Sequence, residues 1–307
     1  MWKILSGFLL GWSLGANDSA NVFGTGVTTG IVRYRTAIWL TAAFVMLGAL
    51  LEGPKCMKVI GELSLLVPME AFFCALAAGI TMTILTFLGI PASTSQAIIG
   101  AVIGAGIISG SADFSKLYRV VSCWVFTPIC ALATAYLLYR LLGSILDRTV
   151  KSLTRRNTIY SVGIVLAGCY GAYTLGSNNV ANVTGVYVGS GILTPDMAAL
   201  IGGISIAAGA LTYSKRVMVT VGKGIVPLYP FSALVVVLSG ALTLHLFTQI
   251  GVPVSSSQAV VGAVVGIGFV GGLQTVSFKM LTRISVGWIM TPISAGLLAY
   301  AFIKLFT

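Results

Sequence analysis

"LGANDSANVFGTGVTTG" (14–30) and "LGSNNVANVTGVYVGSG" (175–191) are one polar, glycine-rich phrase written twice, 161 residues apart, with nine identities in 17 positions. Asn17 falls on Asn178, and Asn21 on Asn182. A second pair follows at the same remove: "GIPASTSQAIIGAVIG" (89–104) and "GVPVSSSQAVVGAVVG" (251–266), with ten identities in 16 positions. A third echo, "WVFTP" (124–128) against "WIMTP" (288–292), keeps the same order. Three repeated phrases in one order define a duplicated unit. The reading is a first repeat over 1–142, a basic linker over 143–156 and a second repeat over 157–307.

Composition sets the solvent for this unit. Of 307 residues, 57% are hydrophobic and 8% charged, against about a quarter charged in soluble domains. That is too little charge to cover a water-facing surface. Apolar runs over 36–51, 71–88, 120–142, 159–175, 231–247 and 285–306 approach the ~20 residues of a bilayer-crossing helix. The sequence therefore predicts an all-α polytopic membrane protein with about five hydrophobic segments in each half. An odd number of crossings turns the second half upside down, as in inverted-repeat transporters.

Charge patterning supports the inversion. Arg33 and Arg35 follow the first phrase, whereas the counterpart loop 192–197 carries Asp196 and no base. The net charge of +11 comes from basic residues between apolar segments, as in Arg148, Lys151, Arg155 and Arg156. Such loops mark the cytoplasmic side and exclude nucleic acid as the partner. The expectation is a multi-pass protein of the cell membrane, with its central linker cytoplasmic and both termini outside. The short apolar start is read as a retained membrane segment. The five cysteines form no CxxC and read as buried small hydrophobes. His245, the single histidine, reads as a packed or interface residue, and Glu52 and Glu70 flank apolar segments closely.

Polar side chains at membrane depth are costly unless satisfied or in use. Broken helices occur there only where the freed backbone lines a cavity or is buried in protein. The repeated phrases predict such breaks, with Gly15, Gly24, Gly176 and Gly185 opening the backbone. Ser93, Thr94, Ser95, Ser255, Ser256 and Ser257 each stand after a proline at a predicted helix start. One hydroxyl there would be an N-cap; three, twice over, suit a tetrahedral oxyanion bound by hydroxyls and helix N–H groups. Asp18 is the only carboxylate in the four phrases. With Asn17, Asn21, Gln96, Asn178, Asn179, Asn182 and Gln258 it makes an oxygen-rich set for Na⁺, or for a proton on Asp18. Asp18 with a monovalent oxyanion totals −2, which two Na⁺ would neutralise, and with a divalent one −3, which takes three cations.

At these residues the chain resembles the inorganic phosphate transporter (PiT) family, whose signature is a GAND-x-AN-x-x-G-T-like stretch in each half. The matches are Gly15, Ala16, Asn17, Asp18, Ala20, Asn21, Gly24 and Thr25, then Gly176, Asn178, Ala181, Asn182 and Gly185. The P-x-S-T/S-S-Q segments look like a second family pattern. The resemblance implies an inverted-repeat membrane fold, a secondary transporter importing inorganic phosphate with Na⁺ (or H⁺) by alternating access, and a homodimer. Two departures stand out: Asn179 replaces the Asp of many relatives, and the large central loop of animal relatives is absent.

Three alternatives remain. A sulfate transporter shares the tetrahedral anion, since some relatives carry sulfate, and an anion channel would use a continuous pore. An enzyme is disfavoured: "TVGKGI" is no Walker A, one histidine makes no Ser–His–Asp set plausible, and no transition-metal cluster or cofactor motif appears.

Overall fold

The structure is a computed structural model that describes residues 2–63, 65–90, 92–224, 229–271 and 278–306. Pro91, the proline of the first hydroxyl-rich segment, lies outside the described residues. Among the described residues a short 3₁₀ turn (Trp2–Ile4) leads into twelve α-helices, six in each half. The first half holds α1 (Leu5–Thr28), α2 (Tyr34–Glu52), α3 (Pro54–Gly61), α4 (Pro68–Phe87), α5 (Thr94–Ser109) and α6 (Phe114–Thr149). The second holds α7 (Leu153–Gly189), α8 (Pro195–Tyr213), α9 (Lys215–Gly224), α10 (Pro230–Gln249), α11 (Ser256–Gly271) and α12 (Phe278–Phe306). The expected five segments per half become six because Gly53–Pro54 separates α2 from α3 and Ser214 separates α8 from α9. The basic stretch 143–156 is helical except at residues 150–152, so the linker is a tight turn. Arg156 ties it by bonding the Val150 and Leu146 carbonyls at 2.6 and 3.2 Å and by pairing with Asp147 at 2.8 Å.

Among the described residues, seven helices are long and apolar enough to cross a bilayer: α2, α4, α6, α7, α8, α10 and α12. The helices α5 and α11 have 16 residues each, about 24 Å at 1.5 Å per residue, which is short of a ~30 Å hydrocarbon core.

The repeats are inverted. Equivalent helices α1 and α7 run antiparallel: Ser6, at the start of α1, bonds Tyr187, near the end of α7, with their hydroxyl oxygens 2.7 Å apart. At the other end of α1, a methyl added to Gly26 would meet Ile164, early in α7. The two termini share one end of the molecule, with Trp2 on Phe72 (centroids 5.0 Å apart) and Phe306 stacked on Phe73 (5.8 Å). Each half then lends a short helix to the other. Gly100 of α5 seats on the Pro292 carbonyl of α12, and Gly262 of α11 seats on the Pro128 carbonyl of α6. Glycine at these crossings lets backbones touch, which is how membrane helices associate without a hydrophobic drive. Pro128 and Pro292, inside α6 and α12, therefore present their carbonyls to a partner helix.

One expectation is corrected. The asparagine-bearing phrases do not break their helices: α1 and α7 run through them without interruption. Gly15, Gly24, Gly176 and Gly185 are contact points instead. A methyl on Gly15 would fall on the Ile206 carbonyl and one on Gly176 on the Val45 carbonyl, while Gly24 and Gly185 face Met218 and Ile60. The breaks lie between α4 and α5 and between α10 and α11, after the left-handed Gly89 (φ 69°) and Gly251 (φ 76°). Each short helix returns from its break beside its neighbour, so two hairpins enter from opposite ends, the first tip held by α1 and the second by α1 and α7.

Candidate functional site

Asn17 holds the first tip. Its amide nitrogen donates to Thr86 Oγ1 and to the Ile90 carbonyl, both at 3.1 Å, and its oxygen accepts from the Ala92 N–H at 3.3 Å. Asn178 repeats the pattern on the second tip: Thr248 Oγ1 at 3.0 Å, the Val252 carbonyl at 3.2 Å and the Val254 N–H at 2.8 Å. A buried backbone left unpaired is expensive, and each asparagine supplies partners at the point where its hairpin leaves helical geometry. Both amides are thereby engaged in holding a break open. Thr86 and Thr248 were missed in the sequence. Their signal was there: each stands three residues before the glycine of its repeated segment.

The hydroxyl-rich segments start α5 and α11. Ser93 caps α5, accepting from the Gln96 N–H at 3.3 Å, and Ser255 does the same for Gln258 at 3.3 Å. Ser95 and Ser257 face back to those caps, with oxygens 3.1 and 2.9 Å apart. Thr94 and Ser256 occupy the remaining place in each segment, and all six side chains are buried.

The two halves meet here. Asn21 donates to Ser256 Oγ at 3.0 Å, and Ser256 also faces the Asp18 carboxylate. In the opposite copy, Asn182 turns to Asn179 at 2.9 Å. Thus Asp18 and Asn21 reach the tip of the other half, Asn17 reaches its own, and Asn178 ties the second tip to α7 beside Asn179 and Asn182. Every one of the fourteen hydroxyl, amide and carboxylate residues singled out from the sequence is buried. A small cavity beside them is lined by Asn21, Thr174 and Ser256 among apolar side chains; Thr174 carried no sequence signal.

Several of these groups end without a protein partner. Asp18 Oδ1, Thr94 Oγ1, Gln96 Oε1, Asn182 Oδ1 and Gln258 Oε1 are buried oxygens with no hydrogen bond, as is Thr25 Oγ1, and Asn179 Nδ2 is a buried donor with none. Native proteins rarely leave such atoms unpaired except at sites of use. Five of these oxygens, one of them on a carboxylate, are hard donors, and among the described residues no Lys or Arg pairs with Asp18. Facing them are the N-termini of α5 and α11, whose N–H groups attract anions. The set fits a small hard cation and an oxyanion together.

Inverted halves, paired hairpins and an internal polar site are the architecture of a membrane transporter. The family model described as the phosphate transporter family matches residues 14–156 and again 145–299, so the chain belongs to that family. It is 30% identical over 301 residues to a protein of Methanocaldococcus jannaschii named as a phosphate permease, covering 97% of this chain and 95% of that one. It is 29% identical over 311 residues to the sulfate permease CysP of Bacillus subtilis, covering 99% and 87%. A solved structure titled the sodium-dependent phosphate transporter superposes with a TM-score of 0.84 at 23% identity, over 99% of this chain and 98% of the other, and shows the same fold.

Proposed function

We propose that the chain imports inorganic phosphate together with Na⁺, by alternating access, as a homodimer in the cell membrane with its central turn cytoplasmic. The observation that carries this reading is the set of unpartnered buried oxygens on Asp18, Thr94, Gln96, Asn182 and Gln258, together with two helix N-termini capped by the hydroxyl-rich segments. A phosphate held by the α5 and α11 N–H groups and by Thr94, Ser95, Ser256 and Ser257 brings negative charge beside Asp18. Burying like charges together is strongly unfavourable without counter-ions. Na⁺ on Asp18, Asn21, Gln96, Asn179, Asn182 and Gln258 would remove that penalty, so anion and cation bind best together. Asn17 and Asn178 act as positioning residues through the breaks they hold. The two hairpins, entering from opposite ends, supply two gates of one design, and exchanging their conformations would move the access from one side to the other.

The decisive experiment is uptake of labelled phosphate into proteoliposomes containing only this protein, under an imposed Na⁺ gradient or an imposed H⁺ gradient. Accumulation that requires inward Na⁺ supports the reading. Accumulation under H⁺ alone removes Na⁺ as the coupling ion, and downhill flux alone makes the protein a channel. The relation to CysP supports sulfate as a second reading, and excess sulfate in the same assay separates the two. Phosphate can donate a hydrogen bond and sulfate at neutral pH cannot, so an acceptor such as Asp18 Oδ1 beside the anion favours phosphate.

A further inference from the structure

A second polar cluster lies outside the site just described, at the elbow between α2 and α3. Glu52 ends α2, and its Oε1 accepts from Lys55 Nζ at 2.7 Å and from Gln249 Nε2 at 3.0 Å. Lys55 also reaches Gln249 Oε1 at 2.9 Å. The other carboxylate oxygen, Oε2, is buried, has no hydrogen bond, and stands 3.2 Å from His245 Nε2. His245 Nδ1 lies 2.6 Å from the Tyr170 hydroxyl, and the Tyr173 ring packs against the imidazole with centroids 6.1 Å apart. The groups facing this pair are thus Lys55 and Cys56 from α3, Tyr170 and Tyr173 from α7, and Gln249 from α10. The cluster sits at the level of the second tip: Gly53 packs on Val180, and Asn178 reaches Cys56 Sγ at 3.8 Å while holding Val252 and Val254.

The pseudo-symmetric position keeps a cation, since Lys55 maps to Arg216, but has neither the carboxylate nor the imidazole. With the 161-residue offset Glu52 and Tyr173 map to Tyr213 and Trp12; with the 162-residue offset of the second phrase His245 and Gln249 map to Thr83 and Phe87. There Trp12, Phe87 and Tyr213 form an aromatic cluster, with centroids 5.1 to 6.3 Å apart. One tip is therefore braced by a carboxylate–imidazole pair and the other by aromatic rings. Ionisable side chains at membrane depth mark ion or proton sites.

We propose that His245 and Glu52 form a proton-binding site at the foot of the α10–α11 tip, whose occupancy biases the conformation of that tip alone. In the neutral ring, Nδ1 accepts the Tyr170 O–H, and Nε2–H faces Glu52 Oε2 at 3.2 Å without forming a hydrogen bond. A proton taken from water adds to Nδ1, the Tyr170 hydrogen bond reverses, and an imidazolium faces the carboxylate. The charged pair draws α10 onto the α2–α3 elbow, and the elbow touches the Asn178 clamp through Cys56. Because the other tip lacks an equivalent, acid shifts the balance between the two gates.

The chain has one histidine, so ring-¹⁵N-histidine NMR of the purified protein in nanodiscs reads this group without assignment. Ring signals recorded between about pH 5 and 8 should report proton uptake, and Glu52→Gln should alter it because the carboxylate facing Nε2 is lost. Tyr170→Phe serves as a second variant should Glu52→Gln fail to fold, and should alter the Nδ1 signal. A ring that stays in one state across this range, or one indifferent to both substitutions, overturns the proposal. The coupling to the tip rests on the transport reading and has its own arm: phosphate uptake by wild type and His245→Gln, compared at each pH so that phosphate speciation cancels. Wild type should show a pH dependence that the variant lacks, and identical profiles overturn the coupling. The NMR arm needs no substrate, so its result stands whatever ion the protein carries.

Discussion

Asn21 of the first half donates to Ser256 of the second at 3.0 Å, whereas its counterpart Asn182 stays within its own helix and donates to Asn179 at 2.9 Å. The symmetry fails where the chemistry differs, because Asp18 stands on one side and Asn179 on the other. Ser256 is shared by Asp18 and Asn21, so the carboxylate helps draw the second tip across the interface. The inequality localises the negative charge of the site to one point.

Asp18→Asn should remove Na⁺ dependence and leave the fold, since the amide keeps the shape and one oxygen. Residual phosphate binding, measured by titration calorimetry at several Na⁺ concentrations, should no longer respond to Na⁺. A variant with unchanged Na⁺ dependence would make Asp18 a structural acceptor for Ser256.

Asn17→Ala and Asn178→Ala should behave alike, because each deletes three bonds to a break. Leaving buried backbone groups unpaired costs about 1–3 kcal/mol. Both variants should unfold at lower temperature in detergent and lose uptake. Loss of uptake with unchanged thermal stability would instead mean that the amides touch the ion.

Much of this arrangement was legible in the sequence, and the reason is duplication. Two copies of a polar phrase in an apolar chain mark the buried polar residues of the candidate site, and opposite charge in equivalent loops points to the inversion. The position of the breaks was not legible from glycine content. Glycine serves both to open backbone and to let helices touch, and only the neighbours of Gly15 and Gly176 show that contact is its use here. The helix α1 escapes a hydropathy reading because its own site residues make it polar. His245 and Glu52 lie 193 residues apart, and nothing local joins them.

Glycine contact makes a sharp contrast testable. Gly176→Ala places a methyl on the Val45 carbonyl, and two helix backbones must separate to admit it. Expression of folded protein, read by fluorescence-detected size exclusion, should collapse. Gly287→Ala meets nothing within 4 Å, and removing a helical glycine there should stabilise by about 0.5–1 kcal/mol. Equal outcomes for the two would mean that the α2–α7 contact is loose.

The last prediction concerns acid, at the end of the molecule where α3 meets α6. The Lys116 side chain bonds Glu62, 3.1 Å away, and holds its carboxyl below the usual range, with Lys58 adding at 3.7 Å. Asp113 caps α6, accepting the Lys116 and Ser115 N–H groups at 3.0 Å, and these too hold its carboxyl low, the Lys116 N–H foremost. A carboxylate whose folded value is depressed contributes stability that is fully present above its unfolded value, about 3.9–4.3, and is lost as pH falls through the folded value. Lys116→Gln removes the side-chain cation from both groups and leaves the backbone cap in place. Its melting temperature should therefore lie below wild type at neutral pH, and the two curves should converge as pH drops below that range. Parallel curves down to about pH 3 would show that Lys116 contributes nothing through these carboxylates.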